Sequence, residues 1–256
     1  MSSITFVTAY LKVYDKEYDL SRTFEKRLEH FLKLADTGIN ICIFIEPDLR
    51  EKFNALELKY DNLKIIKEIQ VKDLELNKLC EENNLYYELP SNRNLEKDTK
   101  NYMFLMLAKL EFLKKTIDVN PYNSDYFCWF DFSLPYIFKD INNTIEKIKN
   151  ISNLKFKKEF ICLPGCWSFK ITDINYLINN IVWRFCGGII IGDKNSIVNF
   201  YNISNKYFIH FLNQYKTLVW EVNYWAWLES RGLIEPIWYL ADHNDTIINI
   251  PDTIKD

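Results

Sequence analysis

Strongly apolar runs alternate along this chain with segments whose apolar residues recur at helical spacing. Residues 4–10 are rich in β-branched and aromatic side chains, which is typical of a strand. Residues 39–45 are almost continuously apolar, as expected for a strand buried on both faces of a parallel sheet. Between these two runs, one face of a predicted helix carries Leu20, Phe24, Leu28, Phe31 and Leu32.

The same pattern continues to the end of the chain. Further strands are predicted at residues 63–66, 126–130, 160–163, 188–191 and 236–240. Further helices are predicted at residues 72–83, 98–117, 136–149, 194–214 and 221–231. Because strand and helix alternate through the first 140 residues, we predict an α/β fold: a Rossmann-type, mainly parallel central sheet with helices on both faces. Ligands of such sheets bind beyond the carboxyl ends of the strands.

Composition narrows the range of functions. The 256 residues are 48% hydrophobic and 26% charged, as in ordinary folded proteins. The net charge of −3 provides no basic field for nucleic acid. We recognise no signal peptide or membrane span, so a cytoplasmic location is expected. Six cysteines include no CxxC pair, which excludes a zinc ribbon.

Asp131 follows the buried run 126–130, where a carboxylate can hold a divalent cation or accept a proton. The alternative is that Asp131 or Ser133 caps the helix predicted at 136–149. Asp125 is too far upstream to share a metal with Asp131 along an extended strand. This is therefore a single-carboxylate version of an Asp-x-Asp metal motif.

Lys109 interrupts the apolar face of the helix predicted at 98–117. Lysine is rarely buried without a partner, so its stem either reaches the surface or its ammonium meets an anion such as phosphate. The polar loop before this helix carries Asp98 and Thr99, either of which could cap the helix, and Arg93 and Lys97, which could instead face a diphosphate.

Gly187 and Gly188 stand before a predicted strand, where paired glycines indicate a close approach of the backbone or a tight turn. Glu221 is the second residue of the segment 220–227, which has three tryptophans in eight residues, a composition found both at sugar-binding sites and in cores. His243 lies in a loop beside two carboxylates and could complete a metal shell or lie free on the surface.

Together these motifs resemble the HtrL/YibB family of bacteria and large DNA viruses, whose members are regarded as glycosyltransferases. The resemblance covers about residues 4–245. It is carried by Val7 to Tyr10, Lys97-Asp98-Thr99, Lys109 to Phe112, Trp129 to Asp131, Phe185 to Gly188, and Glu221 to Trp225. The lysine-containing pieces are the most specific of these.

This resemblance implies a single GT-A-like domain over residues 1–256, with a nucleotide-sugar half to about residue 140 and an acceptor half after it. It implies a hexosyltransferase-type enzyme that moves a sugar from a nucleotide-diphosphate sugar, with UDP favoured, to a hydroxyl of a glycan or glycoprotein. A homodimer is compatible with the sequence. If the protein is viral, the host cytoplasm is the expected location.

The resemblance also implies residue roles. Glu221 would be the base and Lys109 would bind the donor, while Asp131 and His243 would hold Mn²⁺ or Mg²⁺. The remaining donor-binding positions would be Thr8, Ala9, Tyr10, Arg93, Lys97, Asp98, Gly187 and Gly188. Trp129 stands where the family of folds usually has a first Asp, so the alternative is a catalytically inactive module that binds a glycan or protein.

Overall fold

The computed structural model describes residues 4–14 and 22–256. Its seven described strands form one sheet in the order β3-β2-β1-β4-β6-β5-β7. The strands are β1 (Ile4–Tyr10), β2 (Ile41–Ile45), β3 (Leu63–Glu68), β4 (Tyr126–Phe130), β5 (Ile161–Gly165), β6 (Ile189–Asp193) and β7 (Ile237–Leu240). All pairings are parallel except those of β6, which runs antiparallel to both β4 and β5.

Helices flank this sheet on both sides. They are α1 (Phe24–Ala35), α2 (Arg50–Lys59), α3 (Glu75–Glu82), α4 (Lys100–Leu107), α5 (Lys109–Val119), α6 (Ile141–Ser152), α7 (Ile174–Asn179), α8 (Lys194–Tyr215) and α9 (Glu221–Ser230). The predicted fold class is therefore confirmed: the chain is α/β with a mainly parallel central sheet and helices on both faces.

The two faces of the sheet bury two separate apolar clusters. In β4, Phe127 and Trp129 point into one cluster, whereas Cys128 and Phe130 point into the other. Side chains alternate between faces along a strand, so a strand buried on both sides has to be apolar at every position. This accounts for the continuous apolar runs in the sequence.

Two predicted helices had the wrong boundaries. The helix predicted at 98–117 is two helices, α4 and α5, separated at Ala108, and no Gly or Pro marks that break in the sequence. The helix predicted at 136–149 is a short 3-10 turn over Leu134–Ile137 followed by α6, which begins after its cap Asp140. Helices α2 and α7 were not predicted. Leu20, assigned to the first helix, lies outside the described residues.

Each of the six cysteines has a free thiol in this structure. Among residues 4–14 and 22–256, no helix has the length and apolar character needed to cross a membrane. The sheet draws strands from both predicted halves of the chain, because β4 of the first half pairs with β6 of the second. The division into a donor half and an acceptor half stays a prediction.

Candidate active site

A cavity of about 260 Å³ opens at the carboxyl edge of β1 and β4, where the sequence placed the ligand site. Most of the predicted site residues line it: Ala9, Tyr10, Lys97, Lys109, Asp131, Gly187, Gly188, Glu221 and His243. They come from strands, loops and helices far apart in the chain, and the crossovers of the sheet bring them together.

Three predicted donor-binding residues do not line this cavity. Thr8 is buried in β1 and lines a separate small cavity, because strand alternation turns it away from its neighbour Ala9. Arg93 donates from Nη1 to the carbonyl of Pro90, 3.1 Å away. Asp98 accepts a hydrogen bond from the amide of Asn94 at 3.0 Å, which closes the turn ahead of α4. For these positions the sequence indicated the right loop or strand but not the direction of the side chain.

The N-terminal cap of α4 is Thr99, which was one of the two alternatives. Its hydroxyl accepts a hydrogen bond from the amide of Tyr102 at 3.2 Å. Thr99 therefore satisfies one of the free amides of the first turn, and Asp98 is left to close the preceding loop.

Lys109 forms the centre of a buried ion cluster at the base of the cavity. Its side chain is only 1% exposed, so its stem does not reach the surface. The ammonium donates to Glu221 Oε1 at 2.7 Å and to the carbonyl of Gly187 at 2.9 Å, and it lies 3.0 Å from Asp131 Oδ1. The anions that Lys109 meets in this structure are thus the protein's own carboxylates.

Two opposing effects act on this ammonium. Burial lowers the pKa of Lys109, but the negative charges of Asp131 and Glu221 outweigh burial and hold the pKa above its ordinary value. The cluster therefore keeps one positive charge between two carboxylates, at the point where a ligand would reach the sheet.

Gly187 is required where it stands because a side chain there would destroy the cluster. A Cβ on Gly187 would lie 2.0 Å from Glu221 Oε1 and 2.9 Å from Lys109 Nζ. A Cβ on Gly188 would lie 2.7 Å from Leu134 Cδ1. Neither glycine has a positive φ, so the constraint is space and not backbone conformation. The predicted close approach of the backbone is confirmed.

Asp131 is not a helix cap, so that alternative was wrong. The 3-10 turn that follows has no side-chain cap. Instead, the indole of Trp129 donates to Asp131 Oδ1 at 2.6 Å, and the amide of Asp131 donates to the carbonyl of Gly188 at 3.0 Å. These contacts fix the carboxylate at the cavity wall, where its side chain is 29% exposed.

Three cationic side chains surround the mouth of the cavity: Arg22, Arg27 and Lys97. Arg27 is held by the carbonyl of Arg22 at 2.6 Å and by the hydroxyl of Ser133 at 3.1 Å. The Lys97 ammonium lies 5.2 Å from the ring centre of Tyr102. Positive charge around a concave site attracts anions.

Neither arginine was predicted from the sequence. They precede or begin α1 without any motif, and only their charge close to a predicted strand end could have indicated them.

The tryptophan-rich segment is mostly core. Trp225 and Trp227 of α9 are buried, and Asn223 donates to the carbonyl of Leu177 at 2.6 Å. Only the start of this segment reaches the cavity, through Trp220, Glu221 and Val222. Core packing therefore explains the two later tryptophans.

His243 lines the cavity from the loop after β7. Its Nδ1 lies 3.8 Å from Asp242 Oδ1 and 3.9 Å from Cys166 Sγ, and Trp183 packs edge-on against its ring at 4.1 Å between centroids. Burial lowers the pKa of His243 and outweighs the opposite effect of Asp242, which favours the neutral imidazole.

A family model matches residues 2–218 of this sequence, which is most of the chain. The chain belongs to the HtrL_YibB family. The model describes this family as a bacterial protein of unknown function. The resemblance noted in the sequence is thereby confirmed, and residues 219–256, with Glu221 and His243, lie beyond the matched segment.

Solved structures include distant likenesses to this HtrL_YibB protein. One is the 4-diphosphocytidyl-2C-methyl-D-erythritol synthase of Anaerococcus prevotii, with 12% identity and a TM-score of 0.47 over 94% of this chain and 88% of that one. Another is mouse xyloside xylosyltransferase 1 without ligand, with 10% identity and a TM-score of 0.40 over 94% of this chain and 85% of that one. No curated protein sequence matches the chain.

Proposed function

We propose that this protein is a glycosyltransferase that takes a nucleotide-diphosphate sugar, with UDP as the favoured nucleotide, and moves the sugar to a hydroxyl of a glycan or glycoprotein. The observation that carries the proposal is the cavity at the carboxyl edge of the sheet. Cationic side chains surround the mouth of this cavity, and two carboxylates flank one buried ammonium at its bottom. A diphosphate suits the mouth, and a sugar with its hydroxyls suits the carboxylates below.

In this proposal the mouth binds the diphosphate. Lys97 and Arg27 would pair with phosphate oxygens, and the flat guanidinium of Arg27 can contact two of them at once. Gly187 leaves room for the contact between Lys109 and Glu221, and the backbone at Gly187 and Gly188 would line the sugar's side of the cavity. Lys109 keeps Glu221 and Asp131 in place below the sugar.

The transfer step forms a bond from the acceptor oxygen to the anomeric carbon, and the bond from that carbon to the diphosphate oxygen breaks. The electron pair leaves with the nucleoside diphosphate, and the acceptor proton passes to a base. We assign the base to Glu221, which lines the cavity beside Lys109 and Gly187. General-base catalysis of this kind typically contributes about 10²–10⁴-fold.

The divalent cation is a separate part of the proposal. Asp131 fits it, since this carboxylate is fixed by Trp129 and partly exposed to the cavity. Mg²⁺ is commonly bound by one or two carboxylates together with substrate phosphates. When bound, the cation would neutralise charge on the departing diphosphate. His243 fits it less well, because its imidazole nitrogen faces a thiol.

The test is calorimetric titration of the full chain with UDP, GDP and their sugar conjugates, with and without Mn²⁺. We expect UDP-sugars to bind, and Lys97→Ala to weaken binding about tenfold or more, because a hydrogen bond to a charged group contributes about 1.5–3 kcal/mol. Lys100→Ala is the matched control. Lys100 lies three residues further on but stacks on Tyr87 and Phe104 and does not line the cavity.

Two further variants separate the roles. Asp131→Asn should remove the Mn²⁺-dependent part of UDP affinity, and Glu221→Gln should stop transfer while leaving donor affinity unchanged. If no nucleotide binds, with or without metal, the enzyme proposal fails and the inactive binding module is favoured. If donors bind and Glu221→Gln transfers at the wild-type rate, the base is another group.

A further inference from the structure

A second cluster of metal-binding side chains lies beside this cavity. Cys166 follows β5 directly, Cys186 stands shortly before β6, and His243 follows β7. Strands β5 and β7 are parallel and β6 is antiparallel to β5, so the ends of two strands and the start of the third meet at one edge of the sheet. Residues separated by up to 77 positions are thereby brought together.

The ligand atoms are spaced as around a single ion. Cys166 Sγ lies 3.5 Å from Cys186 Sγ and 3.9 Å from His243 Nδ1. Both Cys166 Sγ and His243 Nδ1 lie 3.8 Å from Asp242 Oδ1. Zinc binds sulfur at about 2.3 Å and imidazole nitrogen at about 2.0 Å, so two ligands of a tetrahedral zinc lie about 3.5–3.8 Å apart.

We propose that Cys166, Cys186 and His243 bind one zinc ion, and that the exposed carboxylate of Asp242 turns toward the ion to become the fourth ligand. Two thiolates and an imidazole favour zinc over Mg²⁺ or Mn²⁺, which prefer oxygen ligands. In the part of the chain that the structure describes, this is the cluster in which three ligand atoms of His, Cys, Asp or Glu lie within 4.8 Å of one another.

Zinc binds cysteine as the thiolate, so both Cys166 and Cys186 would lose their protons on binding. Zinc binding would ionise the two S–H groups, form two Zn–S bonds and release two protons to solvent. With two thiolates and the Asp242 carboxylate around Zn²⁺, the site carries one net negative charge.

The backbone already holds two of the ligands in place. The amide of Cys166 donates to the carbonyl of Trp183 at 2.9 Å, and the amide of Cys186 donates to the carbonyl of Pro164 at 2.7 Å. Trp183 also packs against the imidazole of His243.

Cys186 immediately precedes Gly187, whose carbonyl binds Lys109. The zinc would therefore tie three loops into one wall of the cavity, next to the ion cluster. This inference does not depend on the proposed transferase activity, since zinc content is measured without any substrate.

The experiment is elemental analysis of the full chain, purified under reducing conditions without a metal-affinity column. We expect about one zinc per chain, and less than about a tenth of that in Cys166→Ser and His243→Gln. Cys80→Ser is the matched control, because Cys80 is a buried thiol in α3 outside the cluster, and it should keep its zinc. Cobalt substitution should produce a thiolate-to-metal charge-transfer band that both cluster variants lose.

Cys166 is partly buried and His243 is exposed, so their variants are expected to fold, which far-ultraviolet circular dichroism would check. A folded wild-type chain that binds no added zinc with both thiols free would overturn the proposal. So would a Cys166–Cys186 disulfide in the reduced preparation, or equal zinc contents in Cys166→Ser and Cys80→Ser.

Discussion

The positive charge of Lys109 lies between two carboxylates inside the protein, and this determines how mutations at the site change its stability. A buried ion pair contributes little net stability compared with a well-packed apolar replacement. Removing one partner is different, because it leaves an uncompensated charge in a low-dielectric interior. Glu221 has a side chain only 6% exposed, so the ammonium of Lys109 cannot be replaced there by bulk water.

We therefore predict that Lys109→Met lowers the free energy of unfolding by about 3–5 kcal/mol. Urea unfolding followed by tryptophan fluorescence measures this. The double variant Lys109→Met with Glu221→Gln should lose less free energy of unfolding than Lys109→Met alone. In the double variant, one of the two carboxylates left without a cation is no longer charged.

The matched control for Lys109 is Lys114→Ala on the same helix. Lys114 pairs with Asp118 at 2.6 Å on the surface, where ion pairs contribute little. If Lys109→Met and Lys114→Ala lowered the free energy of unfolding equally, the buried cluster would contribute no more to stability than a surface ion pair.

His30 in α1 should make stability depend on pH. Burial lowers the pKa of His30, and its Nδ1 is buried with no hydrogen-bond partner among the described residues. Lys33 lowers the pKa further, and Glu29 raises it. The unfolded chain therefore takes up the proton at higher pH than the folded chain does, so stability falls as pH drops through the ordinary histidine pKa.

The prediction is a comparison of wild type with His30→Gln at about pH 7.5 and about pH 5.5. The wild type should lose more stability over this interval, measured as the urea midpoint at each pH. All other ionisable groups are common to the two proteins, so their contributions cancel in the difference. A larger loss in the variant than in the wild type would contradict the assigned direction.

At the scale of elements, Asp193 joins a strand to a helix and to a neighbouring strand. It ends β6 and caps α8, accepting at Oδ1 from the amides of Asn195 at 2.9 Å and Ser196 at 3.0 Å. Its Oδ2 accepts from the amide of Phe160 at 2.7 Å, just before β5. One carboxylate thus positions the 22-residue helix α8 and the start of the neighbouring strand β5.

We predict that Asp193→Ala costs about 2–4 kcal/mol, the sum of a lost helix cap and a buried amide left without its acceptor. Asp193→Asn keeps one acceptor oxygen and should cost less. The measurement is urea unfolding of both variants beside Asp173→Ala. Asp173 caps the short helix α7 at an exposed position. If Asp173→Ala lowered the free energy of unfolding as much as Asp193→Ala, the contact of Asp193 with the Phe160 amide would add nothing to stability.

At the scale of the whole molecule, the two apolar clusters share one sheet. Strand β4 is central: it pairs with β1 on one side and β6 on the other, and its side chains enter both clusters. Because both clusters pack against this sheet, neither can keep its packing if the other unfolds. The predicted donor and acceptor halves are therefore coupled through β4.

The expected result is a single cooperative transition. Urea unfolding followed by far-ultraviolet circular dichroism and by tryptophan fluorescence should yield the same midpoint. Two separated transitions, or a stable fragment near residues 1–140 after limited proteolysis, would show two independent domains instead.

The places of the seven strands along the chain could be predicted from the sequence, because burial on both faces requires continuous apolar runs, and the helical spacing of apolar residues located most of the helices. Helices α8 and α9 lie within a residue of their predicted ends. Asp131 and Lys109 could also be recognised, since a carboxylate at a strand end and a cation on an apolar face both break a local pattern.

Tertiary structure alone decided what these residues contact. Strand register turned Thr8 away from the cavity and Ala9 toward it. A register shift of one residue would have placed each side chain on the opposite face of the sheet. The partner of Lys109 is Glu221, 112 positions along the chain. Cys166, Cys186 and His243 meet because β6 runs antiparallel between its neighbours, so their spacing in the sequence carries no sign of the cluster. Local patterns determine elements, whereas contacts between distant residues depend on how those elements pack.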